Sequence, residues 1–272
     1  MREPHEVLAE APAAVEVLSA HKTYPDGTVA LQPVDLKVGE GEFVSLLGPS
    51  GCGKSTLLKM VAGLLEPTDG RLLLWRKPVS QLDATGKRLA FVFQAPTLMP
   101  WASVEANVRL PLDLAGVPRA EAAGRVADAL AAVDLARFAK ALPRNLSGGM
   151  QMRVSIARSL VVQPQLLLMD EPFGALDEIT RHKLDADLLQ LWQKKKLTVV
   201  FVTHSIHEAV FLSNRVVMME ARPGRIVEQV LIDEPYPRKP EFMVTARFAV
   251  YAKKLQDSLL RASRQNDDGE VA

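Results

Sequence analysis

The sequence predicts an α/β protein in which a mostly parallel sheet carries an antiparallel β subdomain and an inserted helical subdomain. Short apolar runs of strand length alternate with helix-periodic segments, which is typical of parallel strands joined by helices. Two strand-like segments near the amino terminus flank a turn at Asp26-Gly27, which indicates an antiparallel pair. An Ala-rich, helix-periodic stretch within residues 95–163 contains no strand-like run, and it predicts the helical insertion.

The predicted elements follow one another along the chain. "VEVLSAHKTY" and "ALQPVDLKV" form the antiparallel pair, and "EFVSLLG" is a buried strand that leads through a glycine-rich loop into the helix "KSTLLKMVAGL". "RLLLW" and "LAFVFQ" are further strands. After the insertion, "QLLLMDEP" and "LTVVFVTH" are strands separated by a charged helix, and "RVVMME" pairs with "GRIVEQVLI" in a closing hairpin. A last helix places four apolar side chains on one face, those of Phe248, Tyr251, Leu255 and Leu259.

Composition limits the possible functions. Hydrophobic residues make up 48% and charged residues 24%, the balance of a soluble globular protein. Lys and Arg total 33 against 32 for Asp and Glu, so the formal net charge of +1 gives no electrostatic argument for nucleic-acid binding. One cysteine cannot form an intrachain disulfide, which favours a reducing compartment. No apolar run approaches the roughly 20 residues of a transmembrane helix, and "MREPHEVLAEAPA" lacks the apolar core of a secretory signal.

A glycine-rich loop between a predicted strand and a predicted helix fits the pattern G-x-x-x-x-G-K-[ST]. Its residues are Gly48, Pro49, Ser50, Gly51, Cys52, Gly53, Lys54, Ser55 and Thr56. Glycines let backbone N–H groups converge on a β-phosphate, Lys54 supplies a positive charge to the β- and γ-phosphates, and the Ser55 hydroxyl is a ligand for Mg²⁺. The sequence therefore predicts a P-loop NTPase core that binds ATP. Cys52 is either a reactive thiol or, as we prefer, a spacer of which only the backbone contacts the nucleotide.

Two further strands end in residues suited to hydrolysis. "LLLMDE" ends in adjacent carboxylates, a Walker B pattern, and neighbouring side chains on a strand point to opposite sides. We therefore assign Asp170 to Mg²⁺ and Glu171 to the attacking water. "VVFVTH" brings His204 to the end of another strand, where we favour a contact with the γ-phosphate. His207 forms an H-x-x-H spacing with His204, but no third ligand supports a metal pair.

Two other residues have open interpretations from the pattern alone. Gln94 ends the strand "LAFVFQ" and either senses Mg²⁺ or water or simply caps the strand. Tyr24 lies before the turn "PDG" and either offers an aromatic face to adenine or has no such role. A separate Ser-Gly-Gly turn, in "RNLSGGMQMR", opens a predicted helix and is a second candidate seat for phosphate.

Together these motifs closely resemble the ATP-binding subunit of an ABC transporter. Their order is Tyr24, the P-loop, Gln94, "LSGGM", "LLLMDEP", "ALD" and His204. The resemblance implies an ATPase domain at residues 14–232, with the helical subdomain at about 95–163. It leaves a flexible tail at 1–13 and a C-terminal helical extension and tail at 233–272.

The resemblance also implies roles for the motif residues. Two subunits pair head to tail, so that Ser147, Gly148 and Gly149 of one chain cap the γ-phosphate held by the P-loop of the other. Asp177 signals across the interface. Glu171 is the general base and His204 a γ-phosphate switch. Gln94 links the site to the membrane subunit and Tyr24 is the adenine platform.

A narrower resemblance is to the nitrate/sulfonate/taurine importer group, through "TLMPWASVEANVRLPL", "EPFGALDEITR" and "ARPGRIVEQV". It implies transmembrane permease subunits as partners, a solute-binding protein acting indirectly, and a peripheral position on the cytoplasmic face of the inner membrane. Trp101 then lies near the groove that receives the permease, or it packs within the insertion. The alternatives are an ABC ATPase of lipid or pyrimidine-precursor transport, and a soluble ABC ATPase without a permease. The turn "LSGGM" (Leu146 to Met150) resembles the signature motif of this family, and we call it the signature turn. The residues that follow it, Gln151 and Met152, depart from the family pattern, and the sequence gives no reason for that departure.

Overall fold

The computed structural model describes residues 12–267, and their strands form two sheets. In chain order the strands are β1 (Ala13–Thr23), β2 (Val29–Gly39), β3 (Phe43–Leu47), β4 (Asp69–Leu74), β5 (Lys77–Pro78), β6 (Leu89–Val92), β7 (Leu166–Asp170), β8 (Thr198–Thr203), β9 (Arg215–Glu220) and β10 (Arg225–Leu231). Residues 1–11, most of the predicted tail, and residues 268–272 lie outside the described part. Ala13, which the sequence placed in the tail, is the first residue of β1 and is buried.

Residues 12–267 contain seven α-helices, six of which lie between strands. They are α1 (Lys54–Val61), α2 (Val104–Leu114), α3 (Arg119–Ala132), α4 (Gly148–Leu160), α5 (Glu178–Lys195), α6 (Ile206–Leu212) and α7 (Ala246–Asp267). Of the described residues between β6 and β7, none forms a strand, and the segment consists of α2, α3, α4 and short 3-10 turns.

The larger sheet has the strand order β10-β9-β3-β8-β7-β6. Every neighbouring pair from β9 to β6 is parallel, and β10 pairs antiparallel with β9 at the edge. The smaller sheet, β2-β1-β4-β5, is antiparallel throughout. The predicted α/β class, with a mostly parallel core and an antiparallel subdomain, is confirmed.

Each central strand is buried on both faces, which explains why its sequence is a continuous apolar run. Along β3, Phe43 and Leu47 belong to one core, while Val44 and Leu46 belong to the other. The first core packs against the helical insertion and the carboxyl-terminal helices, and the second packs against α1 and the smaller sheet. The parallel sheet is therefore packed on both faces, between two hydrophobic cores.

The carboxyl-terminal segment packs onto α6. Phe248 and Leu255 of α7 are buried in the core, with Tyr251 and Leu259 partly buried beside them, as the helical spacing predicts. The buried Arg238 guanidinium donates hydrogen bonds to the carbonyl oxygens at the end of α6, those of Val210, Phe211 and Ser213. These bonds satisfy acceptors that a helix end leaves free, and they fix α6 from its carboxyl side.

Candidate functional site

The strand order collects the predicted site residues at one edge of the larger sheet. β6, β7, β8 and β3 are consecutive neighbours, and the chain leaves each of them at the same carboxyl edge. Gln94 follows β6, Asp170 and Glu171 end β7, His204 follows β8, and the P-loop follows β3. This edge is the usual location of ligand sites in parallel α/β sheets.

The glycines of the P-loop (residues 48–56) have geometric reasons to be there. Gly51 and Gly53 have φ values of 78° and 85°, a region that residues with a Cβ rarely adopt. A Cβ on Gly48 would lie 2.4 Å from the carbonyl oxygen of Met219. The Lys54 ammonium is buried within the loop and donates to the carbonyl oxygens of Gly48 and Pro49, each at 2.8 Å.

The Cys52 side chain faces the protein interior. It is fully buried in the core beneath the loop. Burial raises the pKa of the Cys52 thiol, and the neighbouring Lys54 charge only partly opposes that effect. A buried thiol with a raised pKa is a poor nucleophile, which supports the spacer interpretation.

Ser55 and Asp170 are in direct contact across the gap between α1 and β7. The Ser55 hydroxyl donates to Asp170 Oδ1 at 2.7 Å. Burial raises the pKa of the Asp170 carboxyl, while the hydrogen bond from Ser55 and the charges of Lys59 and Lys54 act in the opposite direction. A hydroxyl and a carboxylate are the hard oxygen donors that Mg²⁺ prefers, so this pair fits the predicted metal position.

The Glu171 carboxylate is a meeting point for the ends of three neighbouring strands. Gln94 Nε2 lies 3.5 Å from Glu171 Oε2, and His204 Nδ1 lies 3.3 Å from the same oxygen. The backbone of Glu171 has a φ of 44°, which is uncommon outside glycine and turns the carboxylate out of the strand. The structure thus brings together three residues that the sequence analysis proposed separately, Gln94, Glu171 and His204.

The signature turn opens α4. Ser147 is the N-cap, and its hydroxyl accepts a hydrogen bond from the backbone N–H of Met150. A Cβ on Gly149 would lie 2.7 Å from Thr180 Cγ2, so glycine is needed where this turn packs on α5. Asp177 is the N-cap of α5 and accepts from the N–H of Thr180 at 2.9 Å. That backbone hydrogen bond lowers the pKa of the Asp177 carboxyl.

Tyr24 and His207 lie apart from this cluster. Tyr24 follows β1, with 37% of its surface exposed, and the Lys22 ammonium lies 5.8 Å from the ring centroid. The His207 ring packs against Phe248, with 5.5 Å between centroids. Among the described residues, no group of three His, Cys, Asp or Glu side chains is placed to hold a metal ion.

The structure gives a reason for the signature residues that the sequence left unexplained. The Gln151 side-chain amide donates to the carbonyl oxygens of Pro143 and Leu146, at 3.1 and 3.3 Å. It therefore ties the start of α4 to the turn that precedes the signature. Met152, within the insertion, is buried in the first core.

We expect Gln151→Ala to lower the free energy of unfolding by about 1 kcal/mol, because two partly buried carbonyl groups lose a donor. Thermal unfolding monitored by circular dichroism measures the change. Gln190→Ala, at an exposed position on α5, is the matched control and should have no measurable effect. Equal stability of the two variants would remove this explanation of Gln151.

Two side chains that the sequence did not single out hold the loop after Gln94. Asn107 Oδ1 accepts from Met99 N, and its Nδ2 lies 3.1 Å from the carbonyl oxygens of Met99, Ala102 and Ser103. Arg158 donates to the carbonyl oxygens of Pro96 and Thr97, both at 2.9 Å. Trp101 sits on this loop with 78% of its surface exposed, which rules out packing within the insertion.

This fold and this edge define a P-loop protein that hydrolyses a nucleoside triphosphate. The family model for the ABC transporter matches residues 31–174. The chain belongs to the ABC transporter family and is an ABC-type ATPase.

Several relatives cover most of the chain. An uncharacterized ABC transporter ATP-binding protein of Methanocaldococcus jannaschii is 48% identical, over 86% of each chain. An aliphatic sulfonates import ATP-binding protein of Bacillus licheniformis is 44% identical, over 78% of this chain and 80% of the relative. A taurine import ATP-binding protein of Pseudomonas entomophila is 43% identical, over 81% of this chain and 85% of the relative.

Solved structures agree with the fold. A dimeric post-hydrolysis ATP-binding cassette bound to ADP and Pi has a TM-score of 0.70 at 35% identity, covering 81% of this chain and 100% of that one. A Clostridium perfringens protein that is part of an ABC transporter complex has a TM-score of 0.76 at 27% identity, covering 96% and 100%. Within the described residues, no helix combines the length and the apolar character needed to cross a bilayer.

Proposed function

We propose that this chain is the ATP-binding and ATP-hydrolysing subunit of an importer for a small anion or small organic solute of the nitrate, alkanesulfonate or taurine type. The observation that carries the proposal is the convergence of Gln94 and His204 on the Glu171 carboxylate, at the same sheet edge as the P-loop, with only β8 between the strands that lead to Glu171 and to the P-loop. Relatives named as sulfonate and taurine import proteins, at 41–44% identity, support the direction of transport and the class of solute.

In this proposal the backbone of the P-loop and Lys54 bind the phosphates, and Tyr24 stacks on adenine. The Lys54 ammonium exchanges its two carbonyl partners for phosphate oxygens, which are stronger acceptors. Ser55 and Asp170, with Gln94 nearby, would hold Mg²⁺, which supplies positive charge to the phosphate oxygens as negative charge develops on them. Glu171 takes a proton from the attacking water, and His204 contacts the γ-phosphate.

We further propose that two copies of the chain pair head to tail. The signature turn packs on α5 through Gly149, whereas the P-loop packs on the β9 carbonyl of Met219. The two candidate phosphate sites, the P-loop and the signature turn, are therefore supported by different elements. This is expected if Ser147, Gly148 and Gly149 bind an ATP molecule held by the partner. Dimeric cassette structures at 35% identity support this arrangement.

Transmembrane permease subunits complete the proposed assembly, with the ATPase bound peripherally at the cytoplasmic face of the inner membrane. The exposed Trp101 and the loop fixed by Asn107 offer an apolar contact for them. A solute-binding protein acts on the other side of the membrane. Co-purification of the chain with its permease and binding protein, followed by a binding screen of nitrate, alkanesulfonates and taurine on the latter, tests the substrate class. Recovery of an exporter or a lipid transporter instead would refute it.

Lys54→Ala tests the ATP site itself. We expect ATPase activity to fall by at least about 100-fold, because a positive charge next to the developing negative charge is lost. Steady-state phosphate release measures the rate, and a fluorescent ATP analogue measures nucleotide affinity. Lys37→Ala, at an exposed position on β2, is the control and should retain full activity. An active Lys54→Ala protein would place ATP elsewhere.

A further inference from the structure

Three ionisable side chains, those of Arg181, Asp185 and Glu208, form a cluster next to the turn that carries His204. Asp185 of α5 is 1% exposed and Glu208 of α6 is 5% exposed. Arg181, one helical turn before Asp185, has its Nε atom 3.7 Å from Glu208 Oε1. Charged groups are rarely buried unless they are paired, so this cluster needs a reason.

Glu208 fixes the backbone on both sides of His204. The Thr203 hydroxyl, at the end of β8, donates to Glu208 Oε2 and accepts from the backbone N–H of Ser205. The backbone N–H of Glu208 in turn donates to the Ser205 hydroxyl, the N-cap of α6. Since Thr203 and Ser205 flank His204, the orientation of the histidine depends on the position of the Glu208 carboxylate.

Arg181 fixes the beginning of α5. Its Nη2 donates to the carbonyl oxygen of Leu176 at 2.9 Å, directly before Asp177. The neighbouring residue Thr180 donates its backbone N–H to the Asp177 carboxylate, which caps the helix, and the Thr180 side chain packs against Gly149 of the signature turn. The Arg181 guanidinium therefore contacts the carbonyl oxygen of Leu176, directly before Asp177. It also contacts the carboxylate of Glu208, which holds the backbone around His204.

We propose that Arg181 and Glu208 are positioning residues that couple the signature turn and Asp177 to His204 within one chain. Through His204 the coupling reaches Glu171, which is 3.3 Å from the histidine. If the two phosphate seats serve different ATP molecules, as in the proposed head-to-tail dimer, this pair transmits closure at one ATP to the hydrolytic residues at the other. The inference rests on that proposed function and adds the residues that would make the link.

Ionisation of Asp185 at alkaline pH should weaken the coupling between Arg181 and Glu208. Burial, with the Glu208 charge, raises the pKa of Asp185 to about 8, and Arg181 opposes the shift. Burial also raises the pKa of Glu208, but the Thr203 hydroxyl and the charges of Arg181 and His204 favour its ionised form, and Glu171 disfavours it. At neutral pH the cluster therefore holds a mostly protonated Asp185 beside the contact between Arg181 and Glu208. Ionised Asp185 would compete with Glu208 and the Leu176 carbonyl for the guanidinium.

The first experiment measures kcat and nucleotide affinity separately. We expect Arg181→Met and Glu208→Gln each to lower kcat about tenfold or more while the Kd for ATP changes less than twofold, since neither residue touches the P-loop. The double variant should lose no more activity than the worse single variant, because both act through one contact. Arg181→Lys keeps the charge and should recover part of the activity. Lys183→Met, exposed on the same helix, is the control and should be unchanged.

The second experiment measures how kcat depends on pH. A purely structural role of Asp185 would not change that dependence in the way described here. Wild-type kcat should fall as pH rises through about 8, and Asp185→Asn, an isosteric neutral substitute, should remove that decline. A carboxyl whose folded pKa is raised binds its proton more tightly when folded, so folding loses stability as pH rises toward 8. The Tm of Asp185→Asn should therefore exceed that of the wild type by an amount that grows between pH 6 and 8.

The variants of Arg181, Glu208 and Asp185 test the coupling, whereas Glu171→Gln tests the proposed ATPase site. Full kcat in both Arg181→Met and Glu208→Gln, or multiplicative losses in the double variant, would overturn the coupling. An Asp185→Asn profile that retains the alkaline decline would overturn the role of Asp185. Either result would leave the ATPase site intact provided that Glu171→Gln is inactive. If Glu171→Gln is active, the proposed site itself is wrong.

Discussion

Glu171→Gln should bind ATP normally and lose its turnover, with a fall in kcat of about 10²–10⁴-fold, the usual contribution of a general base. The amide has the shape of the carboxylate, so the approach of Gln94 and His204 is preserved while the proton acceptor is lost. In the proposed dimer, ATP that cannot be hydrolysed should keep the two chains together. Phosphate release measures turnover, and size-exclusion chromatography with light scattering in the presence of ATP measures the dimer.

The matched control for this substitution is Glu121→Gln. Glu121 is an exposed acid on α3 that lies 3.9 Å from Arg125, a surface pair of little energetic value. It should have wild-type kcat and should dimerise only transiently. A monomeric, active Glu171→Gln protein would exclude Glu171 as the base.

The strand ends explain why so much of the candidate site was predictable from sequence. In a parallel sheet every strand is an apolar run, and the polar residue directly after each run is delivered to the same edge. "EFVSLLG", "LLLMDE" and "VVFVTH" each identify such a residue, and the strand order β7-β8-β3 brings them together. The pairing of Ser55 with Asp170 follows from this local pattern and from the P-loop spacing.

The remaining contacts depend on side chains that meet only after packing. Gln151 reaches carbonyl groups five and eight residues earlier in the chain, and Asn107 holds a loop through four hydrogen bonds. Arg181 and Glu208 belong to different helices and are separated by 27 positions, since 208 − 181 = 27. No periodicity or motif marks such residues, because a buried polar side chain on a helix has the same sequence pattern as an exposed one.

In the proposed head-to-tail dimer, Ser147 of the signature turn faces the γ-phosphate held by the partner, and this can be tested by substituting Ser147. Ser147→Arg should bind ATP normally, because the P-loop is untouched, but should lose ATPase activity because a bulky cation occupies the seat for the partner's γ-phosphate. Ser147→Ala separates this effect from stability, since it removes only the cap on Met150 and should cost about 1 kcal/mol. Normal ATPase activity in Ser147→Arg would refute the proposed role of the signature turn.

Mixing two inactive variants decides whether the two phosphate seats act in trans. In a dimer of one Ser147→Arg chain and one Lys54→Ala chain, one site combines both defects, and the other combines an intact P-loop with an intact signature turn. We therefore expect ATPase activity to reappear in the mixture and to be greatest when the two proteins are equimolar. If the P-loop and Ser147 served one nucleotide within a single chain, every site would carry a defect and mixing would restore nothing. Phosphate release measured across a titration of one variant into the other distinguishes these results, because activity that needs mixed dimers vanishes at both ends of the titration.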